Sequence, residues 1–147
     1  MAQTAFVVAL DHWARITGAG VVGIEWRFHV APPGEIRRPL VPDVAFLSHK
    51  RLPYQAMEVT DEPRVAPDVV VEVKSPSDRR TDIDEKVRVY LASGTQVVFL
   101  VDPMTRIVTV RDLRGEQELD DKAVITHVAL PGFRLAVKKL FELPRPK

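Results

Sequence analysis

At 147 residues the chain has room for one ordinary hydrophobic core and not for two, so a single domain spanning 1–147 is expected. A composition of 46% hydrophobic and 28% charged residues excludes disordered and fibrous classes. The absence of cysteine excludes a disulfide framework or thiolate metal site and fits a reducing, cytoplasmic setting, while a formal net charge of +1 is far below that of a protein that coats duplex nucleic acid.

Any nucleic-acid role must therefore rest on local residues. The opening MAQTAFVVALDHWARITGAG lacks a basic n-region, and Asp11 and His12 break its apolar run, so it reads as neither a signal peptide nor a membrane span. Helical spacing of Phe6, Ala9, Leu10, Trp13 and Ile16 predicts an amphipathic helix over 4–17, ended by Gly18 and Gly20. VVGIEWRFHV then alternates: Ile24, Trp26, Phe28 and Val30 share one face of a predicted half-buried strand, and Glu25, Arg27 and His29 share the other. Ala31-Pro32-Pro33-Gly34 is a turn.

Two similar phrases follow, Pro42-Asp43-Val44-Ala45-Phe46 and Pro67-Asp68-Val69-Val70-Val71-Glu72-Val73-Lys74. A leading proline suits the first residue of a strand, and the valine-rich second phrase predicts a central strand buried on both faces. The polar connection over 48–66 is a candidate lid or substrate-contacting loop. A second helix is predicted from Thr81, with Asp84 three residues on as in a capping box, to a stop at Gly94; Ile83, Val87, Tyr90 and Leu91 form its apolar stripe. Gln96–Asp102 reads as a buried strand, Pro103-Met104-Thr105 as a hairpin turn and Arg106–Asp112 as the partner strand. Short β segments are expected over 116–135, an amphipathic turn or helix over Val137–Leu143, and a frayed proline-rich tail. This order predicts an α/β fold, a mixed central sheet flanked by helices with a β-rich end, rather than an alternating βαβ pattern.

Chemistry concentrates in Glu72-Val73-Lys74. Side chains alternate along a strand, so Asp68, Val70, Glu72 and Lys74 project from one face and Val69, Val71 and Val73 from the other. A carboxylate and an ammonium at the end of an apolar strand are costly unless they pair or bind something. Asp43 supplies a second carboxylate if the two strands are neighbours. Two carboxylates and the Val73 carbonyl suit Mg2+ or Mn2+ for phosphodiester hydrolysis, with Lys74 facing the attacking water. The plainer reading is a two-apart ion pair between Glu72 and Lys74.

The ordered set Pro-Asp-Val-Ala-Phe-Leu-Ser, Pro-Asp-Val-Val-Val-Glu-Val-Lys-Ser-Pro-Ser-Asp, Asp-Glu-Lys-Val-Arg-Val-Tyr-Leu-Ala-Ser-Gly and Val-Phe-Leu-Val-Asp-Pro closely resembles the Uma family, restriction-endonuclease-like proteins of the PD-(D/E)xK nuclease superfamily. Leu-Pro-Gly-Phe-Arg-Leu (130–135) and Leu140-Phe141 match as well, and the resemblance covers about residues 20–143. It implies a restriction-endonuclease-like αβββαβ core, with Asp43, Glu72 and Lys74 at the active-site positions and Lys86 and Tyr90 near the site. Lys86 is thus a fourth catalytic candidate; paired with Asp82 it would be only a solvated helix lysine.

Family members usually carry an N-terminal hairpin with a Gly-Glu pair and a histidine, and this chain begins at the helix that follows it. Asp11 faces away from the apolar side; Glu25 is the candidate replacement acid, or else the partner of a surface arginine. His12, His29, His49 and His127 show no metal-ligand spacing. Arg37, Arg38, His49, Lys50, Arg51, Arg79 and Arg80 lie in loops expected to flank the site, where they could meet phosphates. The expected function is a metal-dependent endonuclease of DNA. The alternative is a non-catalytic nucleic-acid-binding or regulatory module on the same fold, and homodimerisation through the β-rich end is compatible with both.

Overall fold

The computed structural model describes all of residues 1–147. A mixed six-stranded sheet runs in the order β1 (Gly20–Ile24), β2 (Val44–Ser48), β3 (Val69–Val73), β4 (Val97–Asp102), β5 (Ile107–Asp112), β6 (Gly115–Leu119). Only β3 and β4 are parallel, and the helix α3 (Arg80–Ala92) connects them; every other neighbouring pair is antiparallel. A separate pair, β7 (Val124–Ile125) and β8 (Leu135–Ala136), precedes a 3-10 turn over Val137–Leu140. The expected α/β sheet with flanking helices is therefore the fold.

Helix α1 (Ala2–Thr17) covers one face. Phe6, Leu10 and Trp13, at helical spacing, bury against Phe46 of β2, Val69 and Val71 of β3 and Phe99 of β4. Phe6 lies 5.5 Å from the Phe99 ring and 6.2 Å from that of Phe133, and the Trp13 indole donates to the Pro131 carbonyl at 2.9 Å, fastening the C-terminal segment to the helix. Phe6 is fully enclosed, so Phe6→Ala should cost about 3–5 kcal/mol, read as a lower urea midpoint with an unchanged slope. Gly18 ends α1 at φ 65°, its N–H donating to the Ala14 carbonyl, as the glycine signal predicts. Ile16 departs from expectation: it is exposed, because the sheet-facing stripe of α1 runs through Leu10, Trp13 and Ala14.

On the opposite face α3 buries Val87 and Tyr90 against Val70 and Val98. The Thr81 capping box does not form: α3 starts at Arg80, with Arg79 in the cap position and no side-chain cap. Beside it, Phe28, Ala45 and Leu47 form a third cluster with Leu52, Met57 and Val65.

Three further expectations are corrected. β1 stops at Ile24 instead of running to Val30, because Glu25 turns the chain at φ 48°; Phe28 then buries and bridges Leu40. Arg106, at φ 59°, belongs to the turn before β5. The 48–66 connection holds a short helix, α2 (Tyr54–Met57), and its apolar side chains pack on the β1–β2 half of the sheet.

Candidate active site

The β2–β3 register explains why the two acids meet. Val44 pairs with Val71, so one step further along the antiparallel ladder sets Asp43 opposite Glu72. Parity puts both on the α3 face, the one that Val70 occupies. Directly opposed carboxylates repel, and the fold offsets this with donors. The Val73 N–H donates to Asp43 Oδ2 at 2.7 Å, and the Tyr90 hydroxyl donates to Glu72 Oε1 at 2.8 Å. The offset is incomplete: burial first, then Asp43, push the Glu72 carboxyl up to about 7, against the lowering effect of Tyr90 and of the Lys86 charge. Burial and the facing Glu72 also push the Tyr90 phenol up, so it stays a donor.

The next step along the ladder brings Val73 opposite Pro42, a buried residue with no N–H to give. Within a strand a residue's N–H and C=O point to the same side, so the Val73 carbonyl faces the Asp43 side where the ladder has run out.

Lys74 follows on, its backbone N–H bonded to the Val101 carbonyl of β4. Its ammonium does not pair with Glu72. Its partner is Asp102, at the end of β4, with Nζ to Oδ2 at 3.8 Å. Lys86 lies on α3 one turn before Tyr90; it faces the same cleft and makes no ion pair with Asp82 or any other acid. Asp43, Glu72, Lys74, Lys86 and Tyr90 thus converge on one cleft of about 640 Å³, walled by α3 and floored by β4–β6. Its other cations are engaged: Arg111 with Asp84 at 3.1 Å and Glu116 at 3.2 Å, Arg80 with Asp84 at 4.0 Å.

Several candidates lie elsewhere. β2 and β3 run antiparallel, so the second Pro-Asp phrase sits at the far end of the sheet. There buried Asp68 accepts from the Ser48 N–H at 2.7 Å and its hydroxyl at 2.9 Å, and Arg51 approaches it at 3.2 Å. Arg51 also donates to the Ala66 and Gly94 carbonyls, a structural clamp. His49 and Lys50 follow β2 at that same end, and no residue of 48–66 lines the cleft, which removes the lid role expected for that loop. Arg37 is held by Glu35 and Glu85; of the flanking cations named from sequence only Arg80 lines the cleft. Glu25 is exposed and lines no part of it, although its backbone N–H donates to the Asp43 carbonyl at 3.3 Å. Asp11 pairs with Arg15 on α1, across the sheet from the cleft. Of the histidines, His127 is tied to Asp112 at 2.8 Å and His29 to Glu62 at 3.0 Å.

The family model described as "Uma2: Putative restriction endonuclease" matches residues 2–138. The chain belongs to the Uma2 family. Among solved structures, that of "a putative nuclease belonging to DUF820 from Anabaena variabilis ATCC 29413" is similar, with a TM-score of 0.81 and 23% identity over 95% of this chain and 78% of that one. At that identity the likeness is one of fold. No curated protein matches the chain. Membership of Uma2 places the convergence of Asp43, Glu72 and Lys74 within a nuclease-like family, and no helix in this member is long and apolar enough to cross a membrane.

Proposed function

We propose that the chain is a Mg2+- or Mn2+-dependent endonuclease that hydrolyses DNA phosphodiester bonds in the cleft between α3 and β4–β6. The reading rests above all on Asp43 and Glu72 standing opposite each other with neither in an ion pair, the Glu72 carboxyl held up to about 7.

The donor set fits a hard divalent ion. Asp43 Oδ1, Glu72 Oε2 and the Val73 carbonyl are oxygen donors left over once Val73 and Tyr90 have taken the other carboxylate oxygens. No three His, Asp or Glu side chains stand close enough together to hold an ion between them, so water would fill the remaining positions, as suits magnesium. Such an ion, when bound, supplies positive charge to the phosphate oxygens and makes water a better nucleophile. The rest falls to the chain. Tyr90 fixes the rotation of the Glu72 carboxylate. Lys74, at the mouth, orients the attacking water. Lys86, the cleft cation with no partner, is free to meet the scissile phosphate and stabilise its developing charge.

Purified protein incubated with plasmid and with single-stranded DNA should cleave in Mg2+ or Mn2+ and not in EDTA. Millimolar Mn2+ should also raise the melting temperature, since an ion that binds only the folded state stabilises it. Identical melts in Mn2+ and EDTA would remove the metal site. Protein that binds Mn2+ but cleaves neither DNA nor RNA would leave a non-catalytic module.

Tyr90→Phe tests the Glu72 anchor. Groups that orient a ligand from behind are typically worth about 10–100-fold in metal affinity. Mn2+ titration followed by calorimetry should show a loss of that size, with the fold intact because Phe retains the buried ring. An unchanged affinity would mean that Glu72 needs no such anchor.

A further inference from the structure

The contact between Lys74 and Asp102 belongs to neither acid–metal pairing, and Asp102 is built to make it. β3 and β4 are parallel with Val73 beside Val101, so the next step of each strand sets Lys74 beside Asp102. Asp102 is an immobilised carboxylate. Its Oδ1 accepts the Met104 N–H at 3.0 Å, closing the turn between β4 and β5, and the Thr105 N–H approaches the same atom at 3.5 Å. That bond fixes the side-chain rotamer and leaves Oδ2 directed at Lys74 Nζ, 3.8 Å away. Lys74 is 43% exposed and has no other acidic partner, so without Asp102 its long side chain would sweep through solvent. Both residues line the cleft.

We infer that Asp102 is a positioning residue that holds the Lys74 ammonium at the mouth of the cleft, the turn amides locking one carboxylate oxygen so that the other restrains the lysine. The inference deepens the nuclease reading and rests on it for the role of Lys74. It also assigns work to the Val-Asp-Pro that ends β4: the proline starts the turn, and the turn fastens the acid.

Asp102→Asn is the discriminating change. An asparagine Oδ1 still accepts the Met104 N–H, so the turn survives, while the negative oxygen facing Lys74 becomes an amide donor. In the full-length variant, 15N relaxation of the Lys74 ammonium should report a lower order parameter, with Lys50 at the far end of the sheet unaffected. With Mn2+ present, kcat should fall about tenfold while KM and Mn2+ affinity stay unchanged, and no further loss should appear when the change is added to Lys74→Ala. Asp102→Glu, which restores the charge, should recover part of kcat. An unaltered Lys74 order parameter overturns the inference. So does a loss of Mn2+ affinity in Asp102→Asn, which would make Asp102 a ligand, or a kcat loss that adds fully to that of Lys74→Ala. If wild-type protein cleaves nothing, the nuclease reading fails while the relaxation result still decides whether Asp102 holds Lys74.

Discussion

In EDTA the wild-type protein should lose about 3 kcal/mol of stability as the pH rises from about 5 to about 8, and Glu72→Gln should remove most of that slope. The Glu72 carboxyl stands at about 7 in the folded protein against an ordinary value of 4.5. A raised acid means that the folded state holds a proton the unfolded state has released. Its contribution is complete below the unfolded value and is lost as the pH climbs through the folded one. At about 1.4 kcal/mol per unit the loss is about 3 kcal/mol, or a melting temperature lower by roughly 10 °C for a chain of this size. The carboxyls held below their ordinary range, at Glu35, Glu62, Glu85 and Asp112, act with the opposite sign and in more acidic solution, outside this window. The glutamine of Glu72→Gln would still accept the Tyr90 hydroxyl without facing Asp43 as a second charge, so the variant should be the more stable protein near pH 8. Parallel curves for the two proteins would show that the opposed carboxylates do not govern stability. Saturating Mn2+ should erase the wild-type loss and leave the Glu72→Gln melts unmoved.

The lysines should separate by what each removes. Lys74→Ala should lower cleavage by about a hundredfold or more, the equivalent of roughly 2–4 kcal/mol of transition-state stabilisation, and leave Mn2+ affinity nearly intact because an ammonium is not a ligand. Glu72→Gln should lose cleavage and Mn2+ affinity together. Lys86→Ala decides which lysine carries the chemistry: Lys74 is engaged by Asp102, whereas Lys86 is unpaired. If Lys86 carries it, the large loss moves to Lys86→Ala and Lys74→Ala is spared. Equal, small losses at both positions would leave no lysine with a catalytic role. Single-turnover cleavage under saturating Mn2+ makes the comparison independent of product release.

The face on which Glu72 sits could be read from the sequence because strand parity is local: Val69 and Val71 bury under α1, and Val70 and Glu72 turn to α3. The stripe of α1 was legible for a like reason, helical period being local, with Ile16 the exception. What escaped depends on topology. Two identical Pro-Asp phrases look equivalent until β2 and β3 run antiparallel and send Asp43 to the cleft and Asp68 to the closed end. Alternation from Ile24 to Val30 is genuine in sequence, yet the backbone reverses at Glu25, so Phe28 reaches a different cluster from the one its spacing implies. Asp102 read only as the last residue of a buried strand; that it also closes the following turn, and that the parallel β3–β4 register brings Lys74 beside it, emerges only in the fold.

Pro42 acts through what it lacks. Any other residue there would bring an N–H opposite Val73 and could extend the β2–β3 ladder by one rung. That rung would strengthen the cation-free protein and occupy a lone pair that the proposed cation would use. A substitution here would thus exchange affinity for rigidity, the familiar conflict in which a site survives only because its scaffold is left unfinished. Screens that select for heat resistance alone should therefore accept changes at Pro42 that screens for cleavage reject.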